Sequence, residues 1–587
     1  MKKMNCYLVV LFAVFACVNN AWAFGDDKNK AAFTEIESAI KNFYYPSVDW
    51  GDYDGDGDLD IVLAGALDTD GDYSADKSTI KIYNNKNGVF TEIETNEILG
   101  LHLGAVRFVD IDNDGDQDLI TTGQNYNDIT TYYLSIYENR ENEFVLKQEL
   151  PGVIYSSVDI GDYNNDGFLD LLVTGAASPH KGSQLTKIYK NLNGEFTEID
   201  TYLQGVQNGN AKFGDFDLDG DLDVVLMGTD KKDNYLLNVY FNDEGVFNRT
   251  QELSGMYLGW IALGDYDSDG DLDFAVMGDD VDDNYACRIY TNENGSFEEY
   301  VTLTGLDNSC GTTPIAWGDY DNDGDLDLVM SGSDENYDDV TILYRNDDNS
   351  FIQVDEGLRN LGGCASLAWA DYDNDNDLDI LISGFAMDGN SNYSNTTLLH
   401  ENQISTKNLK PNAPTNLFSE KETDNSVAFY WSKATDDHTC SDGLRYFLCV
   451  GSTENSCDIA SYEVCGNSWK IVNMPSNFYW SVQAIDASNV KSDKSYALST
   501  GVCEPENSSN EILVVYPNPL KSDILYVEVN FSEIELVSIL NITGEVVKSF
   551  ESPNSNIFKV NDLLTGMYIV KVITKDERVL MQKIVKQ

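Results

Sequence analysis

Seven times the chain writes the same nine-residue acidic loop, and each copy runs directly into an apolar strand. Numbered 1 to 9, the loop carries side-chain oxygens at positions 1, 3, 5 and 9, a small or turn-prone residue at 6, and a seventh residue placed to offer its backbone carbonyl. In the first copy positions 1, 3, 5, 7 and 9 are Asp52, Asp54, Asp56, Asp58 and Asp60. The second has Asp110, Asp112, Asp114, Asp116 and Asp118, and the third Asp162, Asn164, Asp166, Phe168 and Asp170. The fourth has Asp215, Asp217, Asp219, Asp221 and Asp223, and the fifth Asp265, Asp267, Asp269, Asp271 and Asp273. The last two are Asp319, Asp321, Asp323, Asp325 and Asp327, then Asp371, Asp373, Asp375, Asp377 and Asp379. Successive starts differ by 58, 52, 53, 50, 54 and 52 residues, so a supersecondary unit of that size is being repeated. Carboxylates at this spacing, with Gly at position 6 for a left-handed bend, are how a short loop wraps a hard, oxygen-seeking cation. The expected cofactor is Ca²⁺, up to seven ions. Asn376 replaces the Gly in the seventh copy, and Asn tolerates positive φ better than other residues with side chains.

An EF-hand would need a bidentate Glu at position 12 and flanking helices. Position 12 is Leu63, Thr121, Val173, Leu226, Val276, Met330 and Ile382, each inside a short β-type run. A solvated acidic turn would explain one such loop but not seven in one register.

With 100 acidic against 37 basic residues the formal charge is −63, which excludes nucleic acid as a partner because no basic stripe exists to neutralise phosphates. A 42% hydrophobic content separates the chain from disordered acidic tails. Lys2 and Lys3 precede an apolar stretch from Tyr7 to Val18, and Ala21-Trp22-Ala23 offers a small-x-small cleavage site, so residues 1–23 are expected to be an export signal. Lipidation at Cys17 is the lesser alternative. No later segment reads as transmembrane. The mature chain keeps eight cysteines (Cys287, Cys310, Cys364, Cys440, Cys449, Cys457, Cys465 and Cys503), in keeping with an oxidising compartment, and has no C-x-x-C pair. Cys310 and Cys364 could meet across adjacent units, but pairing is not legible from sequence.

After each loop and its strand come a variable polar segment, an Ile-Tyr-x-Asn signature, a tight turn and a Phe. In the first unit these are Ile82-Tyr83-Asn84-Asn85, Lys86-Asn87-Gly88 and Phe90. Four antiparallel strands per unit make a propeller blade. The seventh unit stops at Asn402 without its last strand. Phe33-Thr34-Glu35-Ile36 near the start matches Phe90-Thr91-Glu92-Ile93, so the first strand is expected to complete the last blade and close the ring. The apolar residue two before each loop (Trp50, Phe108, Ile160, Phe213, Leu263, Trp317, Trp369) is read as packing between blades, with sugar stacking as the rival. Strand alternation puts the acidic loops on one face and the 2–3 turns on the other. Those turns vary: Gly65 to Tyr83 is 18 residues, Gly228 to Tyr240 is 12 and Gly384 to His400 is 16. Variable loops on a rigid frame are where recognition is usually carried.

Over roughly residues 30–404 the units resemble the FG-GAP or VCBS repeats of integrin α chains and bacterial surface proteins. The resemblance implies Ca²⁺ at Asp52, Asp54, Asp56, Asp60 and their equivalents, and brings no ligand with it. From Pro411 the loops vanish. Val427-Ala428-Phe429-Tyr430-Trp431 and Phe478-Tyr479-Trp480 in alternating strands suggest a small β-sandwich, similar to a fibronectin type III module and expected to act as a spacer. The end of the chain, with Tyr516-Pro517-Asn518-Pro519, Thr543-Gly544 and Leu563-Leu564-Thr565-Gly566-Met567-Tyr568, resembles the C-terminal sorting domain of the type IX secretion system of Bacteroidota. That implies export across the outer membrane, with the secretion machinery as a partner, and often surface attachment.

The expected fold is all-β: a seven-bladed β-propeller followed by two small β-sandwich domains. The boundaries are 1–23 signal, 24–404 propeller, 405–503 fibronectin-like module, 504–511 linker and 512–587 sorting domain. The expected function is binding or adhesion to an extracellular protein or glycan, without catalysis, since no Ser/His/Asp or Cys/His constellation stands out. A polysaccharide-active enzyme or its accessory and a structural surface-layer component are the rivals. Oligomeric state is not legible.

Overall fold

The structure, a computed structural model, describes residues 31–501 apart from 70–74, 96, 179, 181, 283, 308–313, 364, 388–392, 422–425, 476 and 496–499. Beyond residue 512 it describes the strands named below and parts of their connections. The expected signal segment, the 504–511 linker, Cys310, Cys364 and Cys503 lie outside the described residues. Among the described residues there is no helix, and none long and apolar enough to cross a membrane.

Each acidic loop joins the first two strands of a four-stranded antiparallel unit. The first unit pairs Tyr44–Gly51, Asp60–Leu67, Lys77–Lys86 and Val89–Glu92 in that order. Asp60–Leu67 is buried along nearly its whole length, because its near-continuous apolar run has sheets packed on both sides. The order recurs with innermost strands Val106–Val109, Ile154–Gly161, Ala211–Gly214, Ile315–Gly318 and Ser366–Ala370. The remaining innermost strand is shared. Val246–Gly264 closes the fourth unit with its first half and opens the fifth with its second, bending at a bulge between Tyr257 and Trp260.

The ends of the array meet as the sequence pattern requires. Phe33–Ile36 pairs antiparallel with Tyr393–Asn402, placing Phe33 opposite Asn402 and Ile36 opposite Leu399. Tyr44–Gly51 touches both Val106–Val109 and Ser366–Ala370, so the first unit has neighbours on both sides. Buried apolar clusters lie between successive units. One joins Val62 and Ile82 to Phe108 and Leu119, and another joins Leu381 and Leu399 of the last unit to Phe43 and Ile61 of the first. Closure therefore rests on a core as well as on strand pairing. The aromatic residues before the loops pack in these seams. Trp50 Nε1 donates to the Ala368 carbonyl at 3.4 Å and Trp317 Nε1 to the Ala262 carbonyl at 3.1 Å, each reaching a neighbouring innermost strand.

Two further bodies follow. In the first, a sheet of Thr415–Lys421, Val427–Ser432 and Ser468–Ile471 faces one of Ala460–Val464, Arg445–Gly451, Asn477–Ile485 and Thr500–Gly501. Phe429, Trp431, Tyr446 and Trp480 fill the space between them. Cys449 and Cys457 form a disulfide there, while Cys287, Cys440 and Cys465 are free thiols. The second body has sheets of Leu513–Tyr516, Ile524–Val529, Ile557–Lys559 and of Val546–Glu551, Ile534–Leu540, Gly566–Thr574, Val579–Lys586. Leu525, Val537, Phe558 and Val570 are among its core residues.

Candidate metal centres

The acidic loops are built by their own backbone. Asp52 accepts the Asp56 and Gly57 N–H groups at 3.0 Å each, folding positions 5 and 6 back over position 1. Asp215, Asp265, Asp319 and Asp371 do the same in their loops. Position 6 has positive φ in every copy, from Gly57 at 94° to Asn376 at 69°. Position 4 is left-handed as well: Gly55, Asn113, Asn165, Leu218, Ser268, Asn322 and Asn374 all have φ between 57° and 70°. Leu218 and Ser268 carry no sequence signal for that conformation, and this second bend was not foreseen.

Position 9 is the keystone. Asp60 is fully buried; its Oδ1 accepts the Asn85 N–H at 2.7 Å and its Oδ2 the Tyr53 N–H at 3.2 Å. The Asn85 amide then donates to the Leu59 carbonyl of its own loop and to the Tyr372 carbonyl of the neighbouring loop. Asn139, Asn191, Asn242, Asn292, Asn346 and Asn402 repeat this link to the preceding unit, so the signature Asn staples each acidic loop to the next. In three loops the position-7 side chain reaches the 3–4 turn: Asp58 takes the Asn87 N–H at 2.8 Å, Asp271 the Asn294 N–H at 3.3 Å and Asp325 the Asp348 N–H at 2.9 Å.

The loops gather carboxylates closely enough to share one ion. Ligand oxygens of Asp52, Asp54 and Asp60 lie within 4.8 Å of one another, as do those of Asp110, Asp112 and Asp118, of Asp215, Asp217 and Asp223, of Asp265, Asp267 and Asp269, and of Asp319, Asp321 and Asp327. In five loops the position-3 oxygen is buried with no hydrogen-bond partner: Asp54, Asp112, Asp267, Asp321 and Asp373, each at Oδ1. Burial, reinforced by the neighbouring carboxylates, pushes Asp60 up to about 7, Asp223 to about 8, and Asp273 and Asp379 to about 9. Orphaned anionic oxygens and carboxylates driven toward their neutral form fit the needs of a cation-binding loop. All-oxygen donors on a bent backbone fit a hard ion of the Ca²⁺ type.

The third loop differs. Asn164 donates its amide to Asp170 Oδ2 at 2.7 Å. Lys190 pairs with Asp166 at 2.7 Å and reaches the Asn164 carbonyl oxygen at 3.3 Å. Tyr462, from the sandwich after the ring, donates its hydroxyl to Asp162 Oδ2 at 2.6 Å. An amide, an ammonium and a hydroxyl thus converge on this one loop, and the donor set does not fit a divalent ion as it stands. The first, second and sixth loops have one such donor each, Asn84 on Asp54, Lys147 on Asp112 and Ser488 on Asp319, and keep a bare position-3 oxygen.

Tyr462 belongs to a wider contact of the sandwich with the ring. It lies on the acidic-loop face. Asn113 donates to the Ile459 carbonyl at 3.2 Å, the Asn165 carbonyl accepts the Val472 N–H at 2.8 Å, and Ser488 donates to Asp319 Oδ2 at 3.0 Å. A Cβ on Gly167 would stand 2.7 Å from the Ile459 carbonyl, and one on Gly324 2.3 Å from that of His438, whereas Gly57, Gly115 and Gly220 face open space. On the opposite face, the 2–3 turns of the fourth to sixth units are tight and closed by one Asp each. Asp230 takes the Lys232 and Asn234 N–H groups, Asp280 those of Asp282 and Asn284, and Asp334 those of Asn336 and Asp338. The longer turns of the first, third and seventh units lie partly outside the described residues.

Comparison with protein families matches residues 110–173, 162–226, 265–330 and 319–382 to the FG-GAP-like repeat, and residues 514–587 to the secretion system C-terminal sorting domain. The chain carries FG-GAP-like repeats and a type IX sorting tail. A chain so addressed is secreted or attached to the cell surface. No curated protein matches it. Among solved structures it is similar to the extracellular domain of BT3049 from B. thetaiotaomicron, described as a hybrid two component system. The identity is 14% and the TM-score 0.35, covering 80% of this chain and 57% of that one. It is similar also to BBS1N in complex with ARL6DN, with 14% identity and TM-score 0.41 over 65% of this chain and 100% of that one. A third is rhamnogalacturonan lyase YesW, with 14% identity and TM-score 0.35 over 70% and 76%. Likenesses this distant say nothing about what this chain binds.

Proposed function

We propose that this protein is a calcium-stabilised binding protein of the cell exterior. It recognises an extracellular protein or glycan through the face opposite the acidic loops and performs no chemistry on it. The observation that carries this reading is the placement of the sandwich: it covers much of the acidic-loop face through Asn113, Asn165, Asp162 and Asp319. That face is committed to holding the ring together and to receiving its neighbour. The other face keeps the turns that differ in length and composition, and specific recognition needs such local differences on a rigid support.

Asp52, Asp54, Asp56 and Asp60, with their equivalents in the other loops that fit, would hold Ca²⁺, which when bound supplies the positive charge these carboxylates lack. The loops then serve stability, and binding depends on them only through it. The test is a glycan and host-protein array probed with the Ca²⁺-loaded mature chain, followed by replacement of the first-unit 68–76 and third-unit 178–183 turns with the short fourth-unit turn. Loss of array binding with an unchanged melting temperature is expected. Unaltered binding in both turn variants would refute the assignment of the face.

A further inference from the structure

On the face away from the acidic loops the axis of the ring opens into a cavity of about 460 Å³, inside the range that holds small organic ligands. Its wall comes from the innermost strands. Three residues before each loop stand Asp49, Arg107, Asp159, Lys212, Ala262, Ala316 and Ala368, so one side of the axis alternates in charge while the other is cut back to methyl groups. Asp49, Arg107, Lys212, Ala316 and Ala368 line the cavity.

The charges are not equally engaged. Lys212 pairs with Asp159 at 2.7 Å, and Asp159 also takes the Phe213 N–H at 2.8 Å. Asp49 accepts the Phe108 N–H at 2.9 Å. Arg107 donates to the Val106 carbonyl at 2.7 Å and, among the described residues, has no carboxylate at ion-pair distance. The guanidinium stands between Asp49 and Asp159 in this alternating row, its charge acts on Asp49, and it lines the cavity with donors beyond its bond to Val106.

The rim is equally particular. Seven residues before their loops, Tyr45, Leu103, Tyr155, Asn208 and Leu258 all adopt left-handed backbone, with φ between 50° and 56°. That conformation is costly for Tyr and Leu. It is held by a collar of bonds between neighbouring units, the Tyr155 N–H to the Leu103 carbonyl at 2.9 Å and the Leu258 N–H to the Asn208 carbonyl at 2.7 Å. Tyr45 and Tyr155 are left exposed at the mouth, and Trp260 adds a third aromatic side chain to the wall.

We propose that this cavity seats a carboxylate-bearing sugar unit, with Arg107 taking the carboxylate and Tyr45, Tyr155 and Trp260 offering aromatic surface to the ring; the proposal rests on the reading of this face as the recognition face. A planar guanidinium fork matches a carboxylate. Asp49 beside it counts against a doubly charged phosphate. The room cleared by Ala316 and Ala368 suits a ring better than an extended chain.

Calorimetry on the Ca²⁺-loaded mature chain should detect galacturonate or glucuronate, with the neutral parent sugars and galactose 6-sulfate at least about tenfold weaker. Arg107→Ala, checked for an unchanged melting temperature, should weaken the acidic sugar about tenfold or more, and Arg107→Lys should recover only part of it. Neutral sugars binding as well as uronates, a sulfate ester binding as well as a carboxylate, or no uronate binding at all would each overturn the proposal. The ligand panel on the unaltered chain decides by itself should Arg107→Ala fail to fold. The turn-replacement array separately tests the recognition face, so a chain that binds the array through its turns yet ignores uronates refutes the cavity and spares the face.

Discussion

The third loop allows a sharp test of the metal reading, because two chemically similar changes should behave differently. Asp54→Asn alters a loop whose position-3 Oδ1 is buried and unpartnered. Asp166→Asn alters one whose carboxylate is already paired with Lys190 at 2.7 Å. A site filled at one hundred times its Kd contributes about 2.7 kcal/mol to stability, all of it dependent on the ion. Asp54→Asn should therefore lose up to about 2.7 kcal/mol in Ca²⁺ and little in chelator. Asp166→Asn breaks a half-exposed ion pair, expected to be worth up to about 1 kcal/mol, and should lose the same amount in both conditions. Urea unfolding of the mature chain with and without a calcium chelator reads the difference, and metal analysis of the saturated protein should count six ions rather than seven. Seven ions, or a Ca²⁺-dependent loss for Asp166→Asn as large as that for Asp54→Asn, would refute the reasoning.

Tyr462→Phe removes a buried hydroxyl from Asp162 and should cost about 1.5–3 kcal/mol whether or not Ca²⁺ is present, raising hydrogen exchange in residues 459–472; a variant with wild-type stability and exchange would contradict the contact. His400 is buried where the other units carry Tyr83, Tyr137, Tyr189, Tyr240, Tyr290 and Tyr344, and burial lowers it from 6.5 to about 4. The fold therefore favours the neutral ring: its contribution is complete above pH 6.5 and is lost as pH falls toward 4, by about 3 kcal/mol. His400→Tyr should flatten the acid limb of the stability curve, and an unchanged limb would show that other groups dominate it. Deleting residues 512–587 should hold the protein in the periplasm, as read by fractionation; surface display of the truncated chain would refute the tail as the export address.

Much of the ring was legible because its determinants are local. The Asp-x-Asp-x-Asp-Gly pattern, the apolar run after it and the Ile-Tyr-x-Asn signature fix loop, strand and turn within one unit, and the missing last strand of the seventh unit pointed to Phe33–Ile36. What was missed depends on atoms that meet only after folding. The signature Asn was visible, but its bond to the previous loop needs the ring: Asn85 and Tyr372 are 287 residues apart. The second left-handed bend has Gly or Asn in five loops and Leu218 or Ser268 in two, where the residue type gives no sign of it. The third loop looked nearly the same as the others, with a single Asn for Asp. The groups that fill it come from residues 26 and 300 positions away, Lys190 from Asn164 and Tyr462 from Asp162.

The same contrast explains why a sandwich rests on so acidic a face. Exposed carboxylates repel a neighbour and resist desolvation, so an interface there needs places where the charge is already answered. At the third loop Lys190 and the Asn164 amide supply that answer from within the ring, and Tyr462 completes it. At the sixth loop Ser488 gives one hydroxyl shared among Asp319 and Asn322, yet Asp321 keeps a bare buried oxygen. On the calcium reading the two footholds differ in kind: the third is expected to hold without an ion, and the sixth to depend on one. Stripping Ca²⁺ should loosen the sandwich first at Ser488 and leave the Tyr462 contact standing. Hydrogen exchange that rises around residues 486–492 before residues 459–472 would be the sign of it, and the reverse order would refute the division.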